Sequence, residues 1–330
     1  MKILVTGGTG YIGSHTAVQL IEAGHEVVII DNLANSKEST LEKIEKITNV
    51  RPKFYQADLL NATALDNVFS DNDFEAVIHF AGLKAVAESV EQPLMYYKNN
   101  LVGTINLLES MKKHNVRKII FSSSATVYGE PESVPISEDF KTGSGITNPY
   151  GKTKYMIEEM LKDICAADKD FNATILRYFN PVGAHESGLL GEDPNGRPNN
   201  LMPIVMKVTK GEYDELSVYG NDYPTPDGTC VRDYIHVVDL AGGHIAALSK
   251  MSGLQIYNLG TGKGTSVLEM IAAFEKASGK KLPFKIVDRR AGDLPELYAN
   301  PKKAQQELGC KAERTIDDAM HDTLKFMGEV

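Results

Sequence analysis

Apolar runs of strand length recur along the chain at residues 3–5, 27–30, 53–55, 77–80, 119–122 and 173–177, and the stretches between them carry apolar residues at helical spacing. Runs this short and continuous predict strands buried on both faces, the pattern of a parallel sheet covered by helices on either side. The expected fold is α/β, a doubly wound parallel Rossmann sheet. From Asn180 onward the texture changes: a stretch rich in Gly, Pro and Asn runs to Pro203, and a second spans residues 221–228. Loops this dense usually carry binding groups. At 330 residues the chain exceeds the size at which one core usually stops growing. Two lobes are expected, one over 1–180 and a smaller α/β substrate-binding lobe over 181–330, with some later segments returning to the first.

Composition acts mainly by exclusion. Hydrophobic residues make up 42% and charged residues 24%, with no low-complexity tract, so an ordered, packed chain is expected. A formal net charge of -9, with no long Lys/Arg stripe, would repel a polyphosphate backbone; nucleic acid is not an expected partner. Cys165, Cys230 and Cys310 lie far apart and no CxxC or HExxH spacing occurs, so neither a disulfide framework nor a metal site is expected. No apolar run approaches the roughly 20 residues of a membrane helix. The N-terminus enters a strand at once, without room for a secretion leader. A cytoplasmic protein that touches no membrane is the expectation.

The first strand runs into Gly7-Gly8-Thr9-Gly10-Tyr11-Ile12-Gly13, and a helical pattern then continues to Ala23 and stops at Gly24. In that context Gly7, Gly10 and Gly13 read as a dinucleotide loop. Glycine permits the turn, lets backbone approach a pyrophosphate and lets helix pack on strand, while the helix N-terminus offers N–H groups and the positive end of its dipole. The alternative is a glycine turn with no ligand. Asp31, ending the second strand, argues against it. A carboxylate there accepts hydrogen bonds from both ribose hydroxyls and repels a 2′-phosphate, so NAD is expected rather than NADP. A plain turn residue is the other use of Asp31; Asp58, ending the third strand, is similar. Residues 260–266 imitate a phosphate loop, but Tyr257 and Gly264 stand where that loop needs Gly and Ser/Thr, so a turn between strand and helix is expected.

Asn148 and Pro149 suit the N-cap and first position of a helix that continues through Ile157, Met160, Leu161 and Ile164. Tyr150 and Lys154 are then i and i+4 on one face. A free tyrosine has a pKa of about 10, too high for a base at neutral pH, but a nearby ammonium and a cationic nicotinamide would both favour phenolate. An exposed helix pair of no consequence is the alternative. Ser122-Ser123-Ser124 ends an apolar strand, at the sheet edge where ligands bind. Alternation puts Ser122 and Ser124 on one side and Ser123 on the other. Ser124 is the candidate third member, although a Ser cluster ending a strand is often only a turn. His79, inside an apolar strand, reads as a core histidine.

Together with the glycine loop, Ser124, Tyr150 and Lys154 resemble the hydride-transfer triad of the extended short-chain dehydrogenase/reductase family, and the chain is similar to its sugar-nucleotide 4-epimerase branch. The likeness runs through segments 6–15, 31–33, 79–85, 121–128, 149–154, 177–185, 198–202, 231–236 and 290–293. It implies that Gly7, Gly10, Tyr11, Ile12, Asp31, Asn32, Asn35, Asp58, Lys84, Asn99, Tyr150, Lys154 and Tyr178 contact NAD, with Phe80 and Ala81 lining the cleft. It implies that Ser124, Tyr150, Asn180, Asn200, Leu201, Tyr219, Arg232, Arg290 and Asp293 hold a UDP-hexose. Arg232 and Arg290 suit a diphosphate and Asp293 a ribose; a salt bridge to Asp233 or another neighbour is the alternative use of Arg232.

The implied reaction interconverts UDP-glucose and UDP-galactose. Tyr150 would take the O4 proton while C4 gives hydride to NAD, Ser124 would bond the reacting oxygen, and the 4-keto sugar would turn and take hydride on its other face. Rivals of the same fold are sugar-nucleotide dehydratases, decarboxylases and reductases; a non-catalytic NAD sensor is the rival of another class. Dehydratases carry an Asp-Glu pair just after the catalytic Ser/Thr, where this chain has Ala125-Thr126. Leu297 stands where family members with Tyr tend to exclude N-acetylhexosamines and those with Cys admit them. A homodimer is implied as well.

Overall fold

The computed structural model describes residues 1–196, 198–290 and 292–329. Strand and helix alternate through β1 (Lys2–Thr6), α1 (Tyr11–Glu22), β2 (Glu26–Asp31), α2 (Thr40–Thr48), β3 (Lys53–Gln56), α3 (Ala62–Ser70), β4 (Ala76–His79), the short α4 (Val86–Glu91) and α5 (Pro93–Tyr97), α6 (Gly103–Lys113), β5 (Lys118–Ser124), α7 (Pro149–Ala167) and β6 (Asn172–Tyr178). There follow β7 (Asn180–Val182), α8 (Leu201–Thr209), β8 (Leu216–Tyr219), β9 (Val231–Arg232), β10 (Tyr234–His236), α9 (Val237–Ser249), β11 (Leu254–Leu259), β12 (Thr265–Ser266), α10 (Val267–Ser278), β13 (Phe284–Val287), β14 (Glu296–Leu297), α11 (Lys302–Leu308) and α12 (Ile316–Met327). Among the described residues, no helix is long and apolar enough to cross a membrane.

The six apolar runs are β1 to β6. They form one parallel sheet in the order β3-β2-β1-β4-β5-β6, and β11 adds a seventh strand beside β6. This is the doubly wound fold that the pattern predicts. Along β1, Ile3 and Val5 pack on one face with Val18 and Leu20 of α1 and Leu240 of α9. Leu4 packs on the other with Leu107 of α6 and Ile157 and Leu161 of α7. Burial on both faces is what makes these strands read as unbroken apolar runs. The strand order reverses between β1 and β4, and a crevice opens outside their carboxyl ends. Met202, Val205, Val218, Met270, Phe274, Met320 and Leu324 make a separate core from α8, β8, α10 and α12. The phosphate-loop imitation is a turn leaving β11, with the addition that Thr265–Ser266 pairs antiparallel with Val231–Arg232.

Local sequence explains the elements that frame the crevice. Asn148 caps α7, its side-chain oxygen accepting from Gly151 N at 2.8 Å, and Pro149 occupies the first turn. A π turn over Lys98–Val102 joins α5 to α6. It points Asn100 at the loop after β4: its Oδ1 accepts from Leu83 N at 2.8 Å, and its Nδ2 donates to Leu83 O and to Thr153 Oγ1 of α7, both at 3.0 Å.

Beneath the crevice lies a buried ion pair. Arg177 of β6 donates Nε to Glu158 Oε1 at 3.0 Å and Nη2 to Oε2 at 2.7 Å, with both side chains no more than 1% exposed. Ser123 Oγ donates to Glu158 Oε1 at 2.5 Å, and Arg177 Nη1 donates to Tyr128 Oη at 2.8 Å. Desolvating two charges costs several kcal/mol each, on the order of the attraction they recover, unless the remaining donors and acceptors are also satisfied. Here they are, and α7, β5 and β6 are joined at one point.

Candidate active site

Backbone contact shapes the glycine loop. Gly7 has φ +70°, and a Cβ there would stand 2.8 Å from Ala81 N at the end of β4. A Cβ at Gly13 would stand 2.3 Å from Gly7 O. Gly10 N donates to Gly7 O at 3.1 Å, and Gly10 caps α1 without a side-chain bond, which leaves first-turn N–H groups for a ligand. This is a cradle that any side chain would fill, and it fits a pyrophosphate. Across it, Asp31 is fixed by Thr9 N at 3.2 Å on Oδ2, and by Leu33 N at 2.9 Å and Ser36 Oγ at 3.0 Å on Oδ1. Asn32 Nδ2 donates to Asp58 Oδ2 at 2.9 Å, bringing the ends of β2 and β3 together. Tyr11 Oη donates to Gly183 O at 2.7 Å.

One cleft is lined by every residue assigned to the dinucleotide and also by Ser124, Asn180 and Asn200. In it Ser124 and Tyr150 are neighbours. Ser124 Oγ accepts from Thr126 N at 3.2 Å and from Thr126 Oγ1 at 3.1 Å, so its own proton is free to point at the phenol. Burial raises the Tyr150 pKa above its ordinary value and the neighbouring Ser124 hydroxyl opposes that rise. Lys154 is buried. Its Nζ donates to Ser122 O at 2.6 Å and lies 4.8 Å from the Phe121 ring centroid and 5.9 Å from that of Tyr150. Burial lowers its pKa to about 7, against the pull of Glu158 one turn below. Ser124 thus neighbours the phenol, while the ammonium expected to tune it bonds a backbone carbonyl and lies beside the Tyr150 ring. Ser123 turns away to Glu158, as alternation requires.

The remaining substrate candidates are grouped elsewhere. Leu201 opens α8, while Tyr219, Arg232, Arg290 and Asp293 meet outside the cleft lining. Arg290 is bidentate on Asp293 at 3.1 and 2.9 Å, Arg232 Nη2 lies 3.7 Å from the same carboxylate, and the Arg290 guanidinium is 5.3 Å from the Tyr219 ring centroid. Two cations on one anion leave a positive charge for a diphosphate. Asp233 is not the partner of Arg232. It accepts from Thr261 N and Oγ1, Gly262 N and Ala299 N, which anchor the turn after β11.

Two lining or supporting residues had no signal of their own in the sequence. Glu192, in the Gly/Pro/Asn-rich stretch, accepts from Lys84 Nζ at 3.0 Å and Asn200 Nδ2 at 2.6 Å. His244 of α9 bonds the Tyr178 hydroxyl through Nε2, its Nδ1 facing Leu240 O at 2.9 Å. Leu240 O can only accept, so Nδ1 carries the proton and Tyr178 is the donor. Among the described residues, no cluster of His, Cys, Asp and Glu could hold a metal ion.

Residues 3–260 match the NAD dependent epimerase/dehydratase family. The chain belongs to that family. A UDP-glucose 4-epimerase of Bacillus subtilis (strain 168) is 57% identical over 329 residues, which cover 99% of this chain and 96% of the relative. The UDP-glucose 4-epimerase of Homo sapiens is 57% identical over 334 residues, covering 98% and 96%. The crystal structure of UDP-glucose 4-epimerase from Bifidobacterium longum in complex with NAD+ and UDP superposes with a TM-score of 0.97 at 54% identity, covering 100% of this chain and 98% of that one.

Three histidines packed around the cleft are held neutral by burial: His15 and His79 fall to about 3 and His244 to about 4. His79 lies between Thr6 Oγ1 at 2.7 Å and Thr104 Oγ1 at 2.9 Å, a core histidine as its strand setting suggests. Their folded pKa values are depressed below the ordinary value near 6.5. The stability they contribute is full above that value and is lost as pH falls toward 4, by about 1.4 kcal/mol per pH unit for each histidine that the unfolded chain protonates first. Urea unfolding between pH 7 and pH 5 should show stability falling with pH, and His79→Asn should flatten the slope. Equal stability at pH 7 and 5 would rule this out.

Proposed function

We propose that the chain is an NAD-dependent epimerase that interconverts UDP-glucose and UDP-galactose through a transient 4-keto sugar, and so acts in galactose metabolism. The observation that carries this reading is the meeting of Ser124, Tyr150 and Lys154 with the glycine cradle in one cleft at the carboxyl edge of the sheet. When bound, NAD supplies hydride acceptance and return at the sugar C4. Tyr150 is the proton acceptor and donor at O4. A Ser124 hydroxyl already held by two Thr126 donors can give its own proton to the phenolate or to O4. Lys154 holds positive charge against the Tyr150 ring, where it favours phenolate. Gly7, Gly10, Tyr11, Ile12, Asp31, Asn32, Asn35, Asp58, Phe80, Ala81, Lys84, Asn99 and Tyr178 hold the dinucleotide. The carboxylate of Asp31 favours NAD over NADP.

Asn180, Asn200, Leu201, Tyr219, Arg232, Arg290 and Asp293 hold the UDP-hexose, with the two arginines on its diphosphate. Anchored by UDP, the sugar can turn its other face to the same tyrosine. In this reading residues 1–180 with β11 form the cofactor lobe and most of 181–330 the substrate lobe. Free Cys165, Cys230 and Cys310 suit a reducing cytoplasm.

The decisive experiment is Tyr150→Phe. Turnover of UDP-galactose should fall by about a thousandfold or more, with NAD content and UDP affinity unchanged; near-normal turnover would sink the assignment. Leu297 pairs in register with Arg232 and packs with Ala125, Val127 and Phe179. Its size supports a preference for UDP-glucose and UDP-galactose, and comparable rates on UDP-N-acetylglucosamine would refute that. A homodimer is supported by an exposed apolar surface on α4, α5 and α6, where Val90 is 59%, Leu94 82% and Ile105 40% exposed. Light scattering should give twice the 36.2 kDa chain mass, and Leu94→Lys should shift it toward the monomer; a monomeric mass for the unchanged chain would end this proposal.

A further inference from the structure

Gly191, Glu192, Asp193 and Pro194 line the cofactor cleft although they belong to the stretch between β7 and α8. Three hydrogen bonds connect this stretch to the opposite wall. Lys84 Nζ, in the loop after β4, donates to Glu192 Oε1 at 3.0 Å. Lys37 Nζ, in the loop after β2, donates to Asp193 Oδ2. Asn195 Nδ2 donates to Ser36 O at 3.2 Å. The first and last of these bonds join residues 108 and 159 positions apart, so none of this is local turn geometry. Glu192 is the odd member. Its side chain is 8% exposed, so its carboxylate has given up most of its water and depends on the partners it finds in the cleft. The same Oε1 that takes Lys84 also takes Asn200 Nδ2, at 2.6 Å.

We propose that residues 191–195 form a strap tied across the cofactor cleft, and that Glu192 couples this strap to substrate binding at Asn200. The proposal rests on the NAD-dependent reading above. An epimerase that takes and returns hydride in one turnover gains from a dinucleotide that does not leave between the two steps. The strap supplies this from the substrate side of the cleft. Lys84 is drawn to Glu192 on one edge, Lys37 and Ser36 hold the other, and the dinucleotide passes beneath. When a UDP-sugar engages Asn200, the amide and the carboxylate are fixed together, and the strap tightens while the sugar is bound.

Exchange of bound NAD for the fluorescent analogue etheno-NAD measures retention without reference to catalysis. The double variant Lys37→Ala/Asn195→Ala removes two ties at the surface and should exchange about tenfold faster than the unchanged chain, with the same thermal midpoint. UDP should slow exchange in the unchanged chain and have little effect in Glu192→Gln, which keeps the shape of the side chain and loses its charge. Equal exchange rates in the unchanged chain and the double variant overturn the strap. Equal slowing by UDP with and without Glu192 overturns the coupling. If the unchanged chain takes up no etheno-NAD and releases no NAD on denaturation, the NAD reading itself fails, and the strap with it.

Discussion

The active site depends on one buried contact, the carboxylate of Glu158 shared by Arg177 and Ser123. Glu158 lies on α7 one turn beyond Lys154 and two beyond Tyr150, while Ser123 sits between the two strand residues that meet them. If α7 rotated or slid by a fraction of a hydrogen bond length, Glu158 would lose Ser123 or Arg177 inside a medium that cannot replace them. The same displacement would part Tyr150 from Ser124 and Lys154 from Ser122 O. A buried ion pair is weak as a source of net stability. Its value here is registry: it admits one placement of the helix on the sheet, and that placement is the reactive one.

The cradle obeys a different constraint, backbone against backbone. Gly7 and Ala81 approach because β1 and β4 are neighbours at the reversal of strand order, and Gly13 packs α1 against the turn it has just left. The two constraints meet at the carboxyl edge of the sheet. The glycine loop sets where a dinucleotide lies, α7 sets where the phenol lies, and both are referred to the same strands. Groups from the chain after β6 reach this edge through loops: the Gly183 carbonyl takes the Tyr11 hydroxyl, and Glu192 and Asn200 join the cleft wall.

Much of this was legible in the chain. β1 to β6 stand out because their apolar residues, buried in the sheet, leave short runs between helical patterns, and Asn148-Pro149 marks the start of α7 because a cap and a fixed φ are local chemistry. Period-two alternation separated Ser123 from Ser122 and Ser124 before any partner was known. The partners themselves were not legible. Glu158 and Arg177 read as ordinary helix and strand residues, since their pairing depends on two elements being neighbours and leaves no periodic trace. Lys154 was expected as an ammonium near the phenol, and helical spacing fixes only which face a side chain leaves from, not the partner it binds. That partner is the strand carbonyl of Ser122. Glu192 sits in a loop whose composition signals binding without saying which residue turns inward.

The residues just after Ser124 limit what the site can do with its ketone. Ala125 is buried against Val127, Tyr128 and Phe179, and Thr126 gives both its N–H and its hydroxyl to Ser124. A carboxylic acid at position 125 would be desolvated in that apolar cluster, and one at position 126 would replace a donor to Ser124 with a repelling acceptor. Elimination from a 4-keto sugar needs such an acid to protonate the leaving hydroxyl. Here the groups next to the serine are spent on orienting it. In the proposed reaction proton exchange at the sugar falls to Tyr150 with Ser124 beside it, and a sugar oxidised at C4 is returned by reduction at the same carbon. Stereochemistry is then decided by which face the ring presents when it is reduced. In the proposed reaction the protein must hold the UDP end firmly and the hexose loosely, and Arg232, Arg290 and Asp293, outside the lining of the cleft that holds the phenol, suit the first task.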